Sequence, residues 1–234
     1  IEGIALGKII DRVNPQNVVI CEPSKLKIKL GHKGRIEYLL HVNGKTFHSA
    51  FPNKYNNTIH LAARAISALK DIKFTNSHKM GDGVLTPTGL ITNSNTSMAP
   101  SETTIRFDRR TVPGDTADIT KKEIMDIVKK IDPQAFSLKI EKSTTITYTD
   151  EEIVCEKIFK PWTIEEDHYL AKSLIEAVKN NKINIDIGYW EFCTNGVESM
   201  GNRQINTIGF GPGNEELAHT TNEYVEVQQL YDAC

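Results

Sequence analysis

A chain of 234 residues that is 39% hydrophobic and 25% charged is long enough for one large domain or two small ones, each with its own core. Its net charge of -2 provides no electrostatic footprint for nucleic acid or an anionic membrane, and no apolar run is long enough to span a bilayer. Four cysteines, Cys21, Cys155, Cys193 and Cys234, stand apart with no CxxC pair, which argues against a zinc knuckle or redox motif and suits reduced thiols in a cytoplasmic protein. There is no signal-peptide pattern at Ile1, and an opening of IEGIALGKIIDRVNPQ reads as the middle of a domain, so a fragment or processed product is expected.

In chain order, residues 16–23 (QNVVICEP) read as a buried strand stopped by Pro23, with Glu22 at its carboxyl end. The alternation Lys25-Leu26-Lys27-Ile28-Lys29-Leu30 has the period of a strand with one face in water, and the run Lys25 to Arg35 is read as such a solvated face. A strand from Gly34 to Val42 reaches Asn43-Gly44, a hairpin turn expected to re-enter the sheet over Lys45 to His48. A helix over 57–70 carries Ile59, Ala62, Ala63, Ile66 and Leu69 on one face. Strands over 83–92 and 102–109 precede a Pro113-Gly114 turn. Thr120 with Glu123 has the spacing of a capping box ahead of Ile124, Ile127, Val128 and Ile131. A strand over 136–148 closes an α+β unit of a sheet covered by two helices.

The pattern shifts after Thr149-Asp150-Glu151-Glu152. A helix over 166–180, strands near 183–189 and 205–210, and a last helix with Val225, Val227, Leu230 and Tyr231 are α/β in character. They need a larger sheet, and strand 16–22 is the remaining candidate partner. The α+β unit is therefore expected as an insertion over 33–149 in a discontinuous α/β domain made of 1–32 and 150–234. The ending GFGPGNEELAHTTNEYVEV places His219 after a glycine-rich loop, with Glu215 and Glu216 close by, at an edge where open α/β sheets bind ligands. Imidazole beside carboxylates suits a zinc or general-base site. The alternating Gly209, Gly211 and Gly213 lie too near the C-terminus to be followed by the unit that a dinucleotide loop requires.

The strings Cys21-Glu22-Pro23-Ser24, Gly31-His32-Lys33-Gly34-Arg35, Lys45-Thr46-Phe47-His48-Ser49 with Asn57, Asp108-Arg109-Arg110 and GFGPGNEELAH together resemble the ArgE/DapE/aminoacylase-type zinc peptidases, metallopeptidase family 20. Cys193-Thr194-Asn195-Gly196-Val197 and the GFGPG ending are most similar to its selenium-metabolism hydrolase branch. The resemblance runs through nearly the whole chain in order. It implies an α/β catalytic domain, here truncated to a mixed sheet flanked by helices, and an inserted ferredoxin-like lid that makes a homodimer. It also implies two bridged divalent metals, usually zinc, that lower the pKa of a bound water.

By this resemblance Glu22 binds one metal and His219 the other, His48 stabilises the oxyanion across the dimer, Arg110 grips a substrate carboxylate, and Asn195 and Gly213 lie with the substrate. On the residues alone the alternatives stay open: Glu22 as a turn cap, His48 as an exposed loop residue, Arg110 as an ion-pair partner of Asp108, Asn195 as a turn former. Two departures stand out. Ser97-Met98-Ala99-Pro100 replaces an Asn-Val-Val-Pro type of sequence, and the family's His-x-Asp, bridging aspartate and Glu-Glu pair lie upstream of the point corresponding to Ile1. The implied activity is hydrolysis of a C–N amide bond in a small N-acyl amino acid, a dipeptide or a related compound, with this chain inactive alone. The alternative is a non-catalytic dimerisation or ligand-binding module.

Overall fold

A computed structural model of the chain describes residues 3–94 and 96–234 and divides into two compact units, Ile1–Gly34 with Phe159–Cys234, and Arg35–Ile158. The architecture is mixed α/β, with sheets flanked by helices. Among the described residues no helix is long and apolar enough to cross a membrane.

In the unit formed by the two chain ends, a five-stranded sheet runs in the order Asn17–Ile20, Asn206–Gly209, Ile28–His32, Trp162–Thr163, and Ile187–Trp190 also pairs with Ile28–His32. Asn17–Ile20 and Asn206–Gly209 are parallel, in register from Asn17 opposite Asn206 to Ile20 opposite Gly209. Two strands almost two hundred residues apart thus end at one sheet edge. The core is built on Ile28, Leu30, Trp162, Trp190 and Ile208, with Ala171 and Val178 from the helix Tyr169–Asn180. His168 caps that helix, its Nδ1 accepting the Leu170 N–H at 3.2 Å.

The stretch Lys25 to Arg35 is not a solvated strand face. Every residue of Ile28–His32 is buried, and Lys29 is only 3% exposed. Its ammonium donates to Glu215 Oε1 at 2.9 Å and to the Tyr189 carbonyl at 3.1 Å, while Lys33 reaches Glu191 at 2.6 Å. A buried ammonium is tolerated where acceptors of opposite charge meet it, and those acceptors come from far along the chain.

In the Arg35–Ile158 unit the sheet order is Phe136–Ile140, Gly34–Asn43, Glu102–Thr111, Val84–Thr92. Gly34–Asn43 and Glu102–Thr111 alternate strictly between buried and partly buried positions, the signature of a sheet with one face packed. Tyr38, Leu40, Ile105 and Phe107 meet Leu61, Ala65, Ile124 and Val128 of the helices Thr58–Leu69 and Ala117–Val128. The buried stripe of the first helix is Leu61, Ala62, Ala65 and Leu69, with Ile59 and Ala63 exposed, so the stripe is rotated from the sequence reading.

Three local expectations change. Phe47–His48 does not return to the main sheet but pairs with Met98–Ala99. Thr116, not Thr120, caps the second helix, accepting the Ile119 N–H at 3.2 Å; Thr120 is buried one turn later beside the Tyr38 hydroxyl at 2.7 Å. The strand expected over 136–148 breaks at Glu141, and Lys142–Ile146 pairs antiparallel with Glu152–Glu156. The acidic run from Asp150 therefore enters the turn of a hairpin inside this unit, with Asp150 itself at a φ of 60°.

Candidate metal and substrate site

The parallel pairing of Asn17–Ile20 with Asn206–Gly209 explains the position of Glu22. Past the last paired residues, Phe210 N–H donates to the Ile20 carbonyl at 3.0 Å, and the two chains continue side by side. Ser24 joins them, its hydroxyl accepting the Gly211 N–H at 3.0 Å and lying 3.0 Å from the Gly211 carbonyl. Leu26 N–H also donates to the Gly211 carbonyl at 3.0 Å, Lys25 N–H to that of Gly213 at 2.6 Å, and Trp190 Nε1 to that of Pro23 at 2.8 Å.

Two glycines are dictated by this contact. A Cβ on Gly211 would lie 2.4 Å from the Glu22 carbonyl oxygen, and Gly213 sits at a φ of 83°, where a side chain is strained. Glu22 and Gly213 are thereby brought to the same edge, Glu22 half-buried. The glycine-rich signal and the strand-end carboxylate are parts of one structure.

From there the chain makes a short 3-10 turn, Glu215–Leu217, before His219. The Glu215 carboxylate, one of the two acidic groups of this ending, is engaged by the buried Lys29 ammonium at 2.9 Å. His219 is exposed, has a φ of 63°, and is steadied by its backbone N–H donating to Glu223 Oε2 at 3.0 Å. Left-handed backbone in a histidine is uncommon and costs about 1 kcal/mol, which suits a position fixed by its surroundings. Asn195 sits on another loop, exposed between buried neighbours, with its Oδ1 accepting the Gly3 N–H at 2.9 Å.

The other two candidates lie in the Arg35–Ile158 unit. His48 is exposed, and its Nδ1 accepts the Ala50 N–H at 3.1 Å. An N–H can only donate, so a neutral His48 carries its proton on Nε2. Arg110 forms an ion pair with Asp108, Nε to Oδ1 at 2.7 Å, with a second bond at 3.1 Å; both side chains are about one-quarter exposed. Its neighbour Arg109 faces inward, fully buried over the Phe74 ring and paired with Asp115 at 3.0 Å and Glu123 at 3.4 Å. Strand alternation with buried Ile105 and Phe107 is the signal that separates Arg109 from Arg110.

The sequence reading assigned no roles to Ser24, Lys29 and His32, although the structure makes them the fastenings of these loops. Ser24 was legible only as a small polar residue after Pro23. Zinc takes about four donors. Among the described residues no group of three or more His, Cys, Asp and Glu is placed to hold a metal ion.

Residues 30–135 match the M20 peptidase dimerisation domain. The chain is 29% identical over 231 residues to the uncharacterized protein YgeY of Escherichia coli strain K12, covering 95% of this chain and 56% of that protein. It is 30% identical over 151 residues to a succinyl-diaminopimelate desuccinylase of Helicobacter hepaticus, covering 60% of this chain and 37% of the relative. Among solved structures, aminopeptidase PepT from Bacillus cereus superposes with a TM-score of 0.74 at 15% identity, over 99% of this chain and 58% of that one. The chain thus spans a little over half the length of YgeY and of PepT.

Proposed function

We propose, because the chain belongs to the M20 peptidase family, that it is part of a metal-dependent hydrolase of C–N amide bonds in small N-acyl amino acids, dipeptides or related carboxylated compounds. The observation that carries this reading is the joining of the Glu22 strand end to the Gly209–Gly213 loop that leads to His219. In this reading the strand end would contribute the Glu22 carboxylate and the segment after the loop the His219 imidazole, two donor types suited to zinc. The relative named as a succinyl-diaminopimelate desuccinylase is, by its name, a deacylase of the proposed class.

In this reading Glu22 and His219 each donate to one of two divalent ions. They are too few to hold zinc tightly, so the chain alone is expected to be inactive. His48, with its Nε2 proton available, would donate to the developing oxyanion. Arg110 would offer its fork to a substrate carboxylate, which has to share it with Asp108 or displace that side chain. Asn195 and Gly213 line the substrate. The 30–135 region forms the contact of a homodimer.

Two measurements test this. After dialysis, elemental analysis of the chain should find well under one zinc per polypeptide; one or more retained zinc ions would refute the incomplete-centre account. Expression of the full open reading frame with zinc should release free amino acid from a panel of N-acyl amino acids and dipeptides, and no release would refute the hydrolase. A second reading, a dimerisation or ligand-binding module without catalysis, is supported by the dimerisation-domain match of residues 30–135. The coding sequence upstream of Ile1 discriminates: His-x-Asp and Glu-Glu support the hydrolase, and an in-frame start codon just before Ile1 supports the module.

A further inference from the structure

His32 ends the central strand Ile28–His32 and is completely buried. Its Nδ1 accepts the backbone N–H of Thr194 at 2.9 Å, and its Nε2 stands 3.0 Å from the Lys160 carbonyl oxygen. An amide can only donate and a carbonyl can only accept, so the ring is neutral with its proton on Nε2. The Thr194 hydroxyl lies 2.9 Å from the same Nδ1 and accepts the Gly196 N–H at 3.1 Å, which leaves its own proton for the histidine. One imidazole therefore orders Thr194 directly and Gly196 at one remove.

The other side of this loop is equally confined. A Cβ on Gly196 would lie 2.4 Å from Trp162 Nε1, and the Trp162 ring is 5.4 Å from that of His32. Cys193, Thr194, Gly196 and Val197 are buried, and Asn195 between them is exposed. Burying four residues around one exposed amide fixes where that amide stands.

We propose that His32 is a positioning residue: from beneath the loop Cys193–Gly196 it sets the backbone that presents Asn195 to substrate. The proposal rests on the reading of Asn195 as a substrate-side residue. It assigns to His32 an acceptor role that neither a space-filling apolar side chain nor a residue without a lone pair can perform.

Backbone hydrogen exchange followed by NMR on the full chain tests the clamp without needing activity. His32→Leu fills the site but offers no acceptor, and the Thr194 amide should exchange roughly 100-fold faster, the size expected for one buried amide left unpaired, while the Ile208 amide in the neighbouring strand keeps its protection. His32→Asn retains a side-chain oxygen and should preserve much of the protection. Equal effects of Leu and Asn, or an unchanged Thr194 amide, would overturn the proposal. If the His32 variants do not fold, Thr194→Ala decides, because it removes the acceptor of the Gly196 amide; faster exchange there supports the clamp and unchanged exchange overturns it.

In the full-length enzyme, His32→Leu and Asn195→Ala should each raise KM about tenfold or more with kcat changed less than about threefold, the pattern of lost substrate binding. An unchanged KM would overturn the positioning role. Failure of the wild-type enzyme to hydrolyse any amide would instead refute the hydrolase reading, and the exchange experiments would still decide the clamp.

Discussion

Replacing Gly211 with Ala tests whether the strand-end carboxylate and the glycine loop are held as one structure. The added Cβ would stand 2.4 Å from the Glu22 carbonyl oxygen and 2.8 Å from that of Cys21. A carbon and a carbonyl oxygen ordinarily approach to about 3.3 Å, so the two segments must part by roughly 0.9 Å. Both obstacles are backbone, which no rotamer change relieves, and the Ser24 bonds to Gly211 hold the segments together at that point. Overpacking of this kind costs about 1–3 kcal/mol. The assay is urea unfolding followed by tryptophan fluorescence. Trp162 and Trp190, the two tryptophans of the chain, both lie in the unit that contains Gly211. At a urea dependence of about 2 kcal/mol/M the midpoint should fall by roughly 0.5–1.5 M. Gly188→Ala is the internal control: a Cβ there would meet nothing within 4 Å, and the change should leave the midpoint unchanged or raise it by up to about 0.5 M. If both variants unfold like the wild type, the close approach that places Glu22 is not a constraint, and the site argument fails with it.

Further outcomes follow from the buried groups of the Arg35–Ile158 unit. Arg109→Leu leaves the carboxylates of Asp115 and Glu123 buried without their cation and should destabilise that unit by about 3–5 kcal/mol in urea unfolding followed by circular dichroism; a loss under about 1 kcal/mol would refute the pairing as a constraint. Burial pushes the Tyr38 hydroxyl above its ordinary pKa, partly offset by its bond to Thr120. A raised value in the folded state means that this contribution is intact below about pH 10, where the unfolded tyrosine begins to ionise, and is lost as pH rises through the folded value. Tyr38→Phe should therefore show a smaller alkaline loss of stability than the wild type as pH rises above the ordinary tyrosine value of about 10, and identical alkaline profiles would refute the assignment.

Local pattern carried much of the fold. Strand-end and helix signals around Asn57, Pro113-Gly114 and Ile205–Phe210 matched elements of the structure because each depends on residues within a turn or two. The capping assignment failed because Glu123, three residues after Thr120, imitates a capping box, whereas in the structure Glu123 pairs with Arg109 and Thr116 is the cap. Thr120 lies inside the helix, its hydroxyl donating to the Thr116 carbonyl and meeting the Tyr38 hydroxyl from 82 residues away. The break at Glu141 was hidden for a similar reason. Lys142–Ile146 has the composition of a strand whether it continues its predecessor or turns to pair with Glu152–Glu156. At the site, residue types and order were readable, but their fastening was not.

The lysine strand shows why. Alternation of Lys with Leu and Ile states that every second side chain is polar, and solvent is the usual destination of such a face. Here Lys29 is covered instead, because Tyr189 and Glu215 arrive with a carbonyl and a carboxylate, 160 and 186 residues later. Gly209 permits that approach: a Cβ there would stand 2.2 Å from the Trp190 ring and 2.8 Å from Lys29 Cβ. The same glycine ends the strand pairing that aligns Glu22 with the loop. Removing Lys29 would leave Glu215 without this ion pair at the start of the turn that leads to His219, so the central strand holds that turn through a lysine that is itself buried.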